Sequence, residues 1–276
     1  MSVTLRTATA AECRRLWPAI NNERIFPSAE AFYAYHEAAP WRVRVADKGI
    51  TSLLGAWREH LSVLALRGVW CAERHVPAVC ADAQRVAAEQ GFTQLMSPLL
   101  PSALLDGYRR AGLRVHQRVV AIQGVPELVM RADPPLDVRF RHATSDDLSE
   151  LTVLDAACFD PFWRYGEPEL ADLIADERAV VAQAGSGDLI GYTLATVSRG
   201  AATLGRLAVA PAGRRCGVGR ALVSDVARWA VDAGALTLGL CTQDDNVASR
   251  ALYAACGLHE IDDRYALAIG DVGAGS

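Results

Sequence analysis

VRFRHATSDDLSEL (138–151) restates VTLRTATAAECRRL (3–16): Val138 falls on Val3, Arg141 on Arg6, Ala143 on Ala8, Thr144 on Thr9 and Leu151 on Leu16. Each copy reads as a short strand followed by a helix that starts at a threonine. Two more correspondences follow in the same order. RVAAEQGFTQL (85–95) matches RWAVDAGALTL (228–238), and GYRRAGL (107–113) matches LYAACGL (252–258). A single match between Ala-rich helices is within reach of chance, but three in register predict two copies of one α/β unit. Between them lies PELVMRADPPLD (126–137), whose Pro126, Pro134 and Pro135 suit a linker. The expected division is therefore a domain over 1–125, a linker over 126–137 and a second domain over 138–276.

The whole chain has 276 residues, 51% hydrophobic and 22% charged, which is the composition of a folded protein with a sizeable core. Its net charge of −4 gives no broad attraction to nucleic acid or to an anionic membrane, so neither is expected as a partner. Seven cysteines without a C-x-x-C pair argue against a disulfide framework or a zinc site, and no metal is expected. Met1 leads into a polar stretch rather than a basic and then apolar one, and there is no apolar run long enough to span a bilayer. A cytoplasmic protein, monomer or homodimer, is the expectation.

The second half has the clearer element signals. Strands are predicted at 138–143, 179–184, 189–198, 201–210, 235–242 and 264–269. Helices are predicted at 145–159, 167–177, 218–234 and 246–257. The order is β-α-α-β-β-β-α-β-α-β, and GSGD (185–188) forms a hairpin turn.

RRCGVGRALV (214–223) joins the fourth of these strands to a helix. Glycines at a helix N-terminus leave backbone amides free, and with the positive end of the helix dipole these make an anion site. The spelling excludes a P-loop, since no Lys-Ser/Thr follows the glycines. Leu222 excludes a dinucleotide fingerprint.

Arg214-x-x-Gly217-x-Gly219 after a strand, followed by N-x-A-x-x-x-x-Y-x-x-x-G-L (246–258), resembles the GCN5-related N-acetyltransferase (GNAT) superfamily over essentially all of 138–270. It departs from that signature at Ala248, one residue early, and at Leu258 in place of Phe. The tandem arrangement resembles mycothiol synthases, and CFDPFW (158–163) is similar to a segment of ribosomal-protein N-terminal acetyltransferases. The resemblance implies two GNAT-like domains, each a mixed, mostly antiparallel sheet flanked by helices. It implies acetyl-CoA as cosubstrate and a small-molecule or peptide amine as acceptor.

Carried over by position, the resemblance has the amides of Arg215, Cys216, Gly217, Val218, Gly219 and Arg220 holding the pyrophosphate, with Arg214 and Arg215 adding charge. The strand at Leu207, Ala208 and Val209 would pair with the pantetheine arm, and the strand at Leu240 and Cys241 would splay away. An N–H of Leu207 or Ala208, with Leu207 taken as the donor, would polarise the acetyl carbonyl, an effect of about 3 kcal/mol. Asn246 would cap its helix and meet the pantetheine, and Tyr253 would protonate the leaving thiolate.

No glutamate stands on the two central strands, which read Gly205, Arg206, Cys241, Thr242 and Gln243. The general base is left open among Asp244, Asp245, Glu260 and Asp155, with Asp245 carried forward. Phe159, Phe162, Trp163 and Tyr165 either line the acceptor pocket or pack under a loop. In the first half the matching stretch, WCAERHVPAVCADA (70–83), has no glycine and has Pro77 where amides are needed, so one CoA per chain is expected. The alternative to an enzyme is a non-catalytic acyl-CoA sensor or scaffold.

Overall fold

The computed structural model describes residues 3–22, 25–58 and 60–273; Met1 and Ser2, which open the polar N-terminal stretch, lie outside them. Along the chain run β1 (Arg6–Thr7), α1 (Ala10–Asn22), α2 (Ala29–Ala38), β2 (Val43–Ala46), β3 (Ile50–Ala56), β4 (Val63–Trp70), α3 (Val76–Glu89), β5 (Gln94–Met96), β6 (Leu100–Pro101), α4 (Asp106–Arg110) and β7 (Arg114–Gly124). The same order, without a counterpart of β6, then recurs as β8 (Val138–His142), α5 (Leu148–Cys158), α6 (Glu167–Asp176), β9 (Arg178–Ala184), β10 (Leu189–Ser198), β11 (Ala201–Val209), α7 (Val218–Asp232), β12 (Thr237–Gln243), α8 (Val247–Ala255) and β13 (His259–Asp271).

The repeat is visible in local chemistry. Thr9 N–H donates to Glu12 at 2.9 Å and Thr144 N–H to Asp147 at 2.8 Å, the capping box of the first helix in each copy. The same two carboxylates take bidentate pairs from Arg6 and Arg141. At the far end, Gly91 and Gly234 have φ of 79° and 71°. Across them Phe92 N–H donates to Ala87 O and Ala235 N–H to Ala230 O, both at 2.8 Å. Gly112 and Gly257 repeat this device behind Tyr108 and Tyr253.

Residues 3–118 and 265–273 form one compact unit, and 119–264 form the other. This division differs from the one expected at 126–137, because β7 and β13 each change unit along their length. In the first unit the strand order is β1-β2-β3-β4-β5-β13, with Ile269–Asp271 laid antiparallel on Gln94–Met96. In the second it is β8-β9-β10-β11-β12-β7, with Val119–Gly124 laid on Leu238–Gln243. Each sheet is antiparallel except for one parallel pair, β4 with β5 and β11 with β12. The final strand of each unit thus comes from the other half of the sequence. A glycine fits each one in place. A Cβ on Gly124 would lie 2.6 Å from Leu258 Cδ2, and one on Gly270 would lie 3.4 Å from Leu113 Cα, the repeat partner of Leu258.

The stretch expected as a linker is half structured. Val129 is buried, Met130 N–H donates to Cys256 O at 3.0 Å and Ala132 N–H to Ser224 Oγ at 3.0 Å, which fastens it to the second unit. Within that unit Leu151, Leu154 and Leu170 of α5 and α6 pack with Val181, Tyr192 and Leu194 of the sheet. Residues of opposite parity, Val180 and Ala182, pack with Val218 and Leu222 of α7, so the helices cover both faces.

Candidate functional site

β11 pairs with β12 only at Ala201, Ala202 and Thr203, while β12 continues along β7 to Gln243. From Leu204 to Val209 β11 therefore has no strand partner on the β12 side, and the two strands splay. Ala210 N–H donates to Ile190 O at 2.9 Å on β10. By strand alternation Ala208 also turns its main chain to β10, and Leu207 and Val209 present theirs to the β12 side. Of the two oxyanion donors expected from the sequence, Leu207 faces the gap and Ala208 does not. Just before it the ladder with β10 steps from Leu204 to Arg206, leaving Gly205 as a bulge. Across the gap Leu240 is buried and Cys241 is exposed.

At the end of β11 a short turn, Pro211–Gly213, leads into two left-handed residues, Arg215 (φ 64°) and Gly217 (φ 88°), and then into α7. The first amide of the helix to find a carbonyl is that of Ala221, which donates to Gly217 O at 3.0 Å. The amides of Arg215, Cys216, Gly217, Val218, Gly219 and Arg220 find none among the described residues, which is the donor array an anion needs. The two glycines do different jobs. Gly217 supplies a backbone angle that costs another residue about 1–2 kcal/mol, and nothing lies within 4 Å of a Cβ placed there. A Cβ on Gly219 would instead lie 3.2 Å from Leu252 Cδ2, so this glycine admits α8 rather than a phosphate. Arg214 folds back, its Nε donating to Val209 O at 3.0 Å, and Arg215, Cys216 and Arg220 are exposed.

Asn246 caps α8, its Oδ1 accepting from Ser249 N–H at 3.2 Å. Tyr253 is 6% exposed and belongs to the apolar cluster with Leu204 of β11 and Leu240 of β12. Burial pushes its phenol well above the ordinary value, which keeps it protonated, as a proton donor must be. Tyr108, its repeat partner, is equally buried and shifted the same way, so the position is set first by the fold. Among the carboxylates, Asp245 sits exposed in the turn before α8, and Arg250 holds Glu260 at 2.6 Å and Asp244 O at 2.6 Å.

Asp155 is held in a closed network. Its side chain is 0% exposed. Its Oδ1 accepts from Tyr165 N–H at 2.9 Å, and its Oδ2 accepts from Arg206 Nε at 2.9 Å and from the Tyr192 hydroxyl. The Arg206 guanidinium lies 3.4 Å from the Phe159 ring centre and 4.2 Å from that of Tyr165, and its Nη2 donates to Trp163 O at 2.9 Å. The four aromatics therefore do not form one open surface for a cationic acceptor. Two of them already hold the chain's own cation, and Phe162 and Trp163 pair edge to face at 5.2 Å. Sequence reasoning saw Arg206 only as a missing glutamate; a buried arginine facing an aspartate four elements away leaves no local signal.

In the first unit the splay is kept, with Val63, Leu64 and Ala65 paired to Gln94, Leu95 and Met96 in the same register, and so is the bulge, at Arg67. The turn is not. Between Trp70 and Val76 no residue has a positive φ, Pro77 stands in the first turn of α3, and the Trp70 ring reaches within 2.5 Å of where a Gly68 Cβ would be.

Residues 148–258 match the family described as "Acetyltransferase (GNAT) family". Over this stretch of the second unit the chain is similar to the GNAT family. Its fold is that of tandem GNAT proteins. It superposes over 99% of its length on 100% of a tandem GNAT protein from the clavulanic acid biosynthesis pathway, with TM-score 0.71 and 15% identity. A GNAT protein from Sphaerobacter thermophilus aligns over 100% of this chain and 97% of its own, with TM-score 0.64 and 16% identity. A glucosamine N-acetyltransferase region of a fungal multi-domain protein aligns over 97% of this chain and 38% of its own, with TM-score 0.69 and 13% identity. No curated protein matches the sequence. Acetyltransferase-type acyl transfer is the chemistry of this family. Among the described residues no helix is long and apolar enough to cross a membrane.

Proposed function

We propose that the second unit transfers an acetyl or other short acyl group from CoA to a primary amine of a small molecule or peptide, and that the first unit binds no CoA. One observation carries this reading: the edge of β11 left unpaired by β12 leads, past the Val209 carbonyl that Arg214 holds, into the open amides around Gly217. An extended pantetheine arm is complementary to the first and a pyrophosphate to the second. Leu207 N–H then faces the thioester oxygen, and Tyr253 supplies the proton that the departing thiolate takes up. Names of structural neighbours, one of them a glucosamine N-acetyltransferase, agree with an amine acceptor.

Titration with acetyl-CoA is expected to give one site per chain, and thiol release with a panel of primary amines is expected to show turnover. Gly217→Val, which forces a β-branched residue to φ 88°, is expected to weaken binding at least tenfold while Gly112→Ala leaves it unchanged. Two sites per chain refute the assignment of the first unit, and binding without turnover favours the acyl-CoA sensor.

A further inference from the structure

The bulge in β11 leaves an unfilled side-chain position beside the reacting strand. Gly205 is exposed, and a Cβ placed on it would lie 3.8 Å from Glu177 Oε2. Glu177 follows α6 and opens onto β9, so its carboxylate comes to this place from a different element. Among the described residues it accepts no hydrogen bond and makes no ion pair. The other carboxylate facing this strand, Asp155, has both oxygens occupied, and Asp245 is exposed in the turn before α8.

Resting on the proposed acyl transfer, we infer that Glu177 is the general base, a carboxylate delivered from the α6–β9 junction into the gap that Gly205 leaves two residues before the Leu207 donor. It takes a proton from the acceptor ammonium. The neutral nitrogen then forms a bond to the acetyl carbon as the carbonyl pair moves to oxygen. Collapse breaks the carbon–sulfur bond, CoA leaves as thiolate and takes the second nitrogen proton by way of Tyr253, and the proton on Glu177 passes to water. Glu177 lines an open cleft of about 590 Å³, which provides that route.

The charged groups around Glu177 are Asp176 beside it, Arg178 and His142 from the sheet, and Asp225, Arg228 and Asp232 from α7. Asp225 is paired to Arg178 at 2.7 Å. Burial, and then the charge of Asp176, holds the Glu177 carboxyl above the usual carboxylate range, where a base for an amine is more effective.

The test uses the full chain with acetyl-CoA and 2-phenylethylamine or another amine of the panel, followed by thiol release over pH 4–9. Glu177→Gln is expected to bind acetyl-CoA as before, to lose on the order of 100-fold in kcat, and to lose the acid limb of the kcat/KM profile. Asp176→Asn, which removes the neighbouring charge, is expected to move that limb to lower pH with kcat kept. Wild-type kcat and an unmoved limb in both variants overturn the role of Glu177 while leaving acyl transfer standing. A wild-type chain that binds acetyl-CoA but acylates no amine overturns both.

Discussion

Because the last strand of the second unit is Val119–Gly124, a fragment that starts at 138 lacks part of its own core. Val120 and Ile122 are 3% and 2% exposed and belong to the cluster under α7 and α8. Leaving those two side chains out forfeits about 1.5–3 kcal/mol each, and the backbone of β12 loses its ladder along one edge. That total of about 3–6 kcal/mol is comparable to the whole stability of an ordinary domain, about 5–15 kcal/mol. Fragment 119–264 is therefore expected to melt cooperatively and to bind acetyl-CoA, and fragment 138–276 to do neither. Circular dichroism melts and calorimetric titration of both fragments provide the measurement. If 138–276 folds with β13 laid on β12 in place of β7, and melts at the temperature of the intact unit, the argument from strand exchange is wrong. A milder form is Ile122→Ala in the full chain, expected to cost about 2–5 kcal/mol.

Arg206→Lys keeps the charge but loses the fork to Asp155 and the stack between Phe159 and Tyr165. It is expected to raise KM for the amine roughly tenfold with KM for acetyl-CoA unchanged, and equal changes in both would contradict a role in shaping the acceptor side. In alkali the buried phenols of Tyr108, Tyr192 and Tyr253 resist ionisation, since burial raises all three. Their contribution to stability is full below the ordinary tyrosine value, about pH 10, and is lost as pH rises toward their folded values. Absorbance at 295 nm is expected to show them titrating only as the chain unfolds. At the other end, Arg141 holds the Asp147 carboxyl below its usual range, so that pair stabilises above about pH 4 and is lost below it. Arg141→Met is expected to flatten the acid arm of the Tm profile.

The repeat, the threonine-led helix start of each copy and the strand–turn–helix around Gly217 were legible in the chain, because each depends on residues within a few positions of one another. Thr144 and Asp147 meet across three residues, and Gly217 is left-handed for reasons of its own loop. The boundaries of the two units were not legible. Nothing within β7 or β13 says which sheet it will complete, since the two strands are copies of one element and pair through backbone groups that any sequence carries. The buried Arg206–Asp155 pair and the approach of Glu177 to Gly205 were equally hidden, because they join residues 51 and 28 positions apart along the chain through the packing of helix on sheet. Local propensity and capping chemistry determined the elements and the glycine turn before α7; the choice of final strand, and the charges set around the splay, were decided only when the sheets closed and desolvated them.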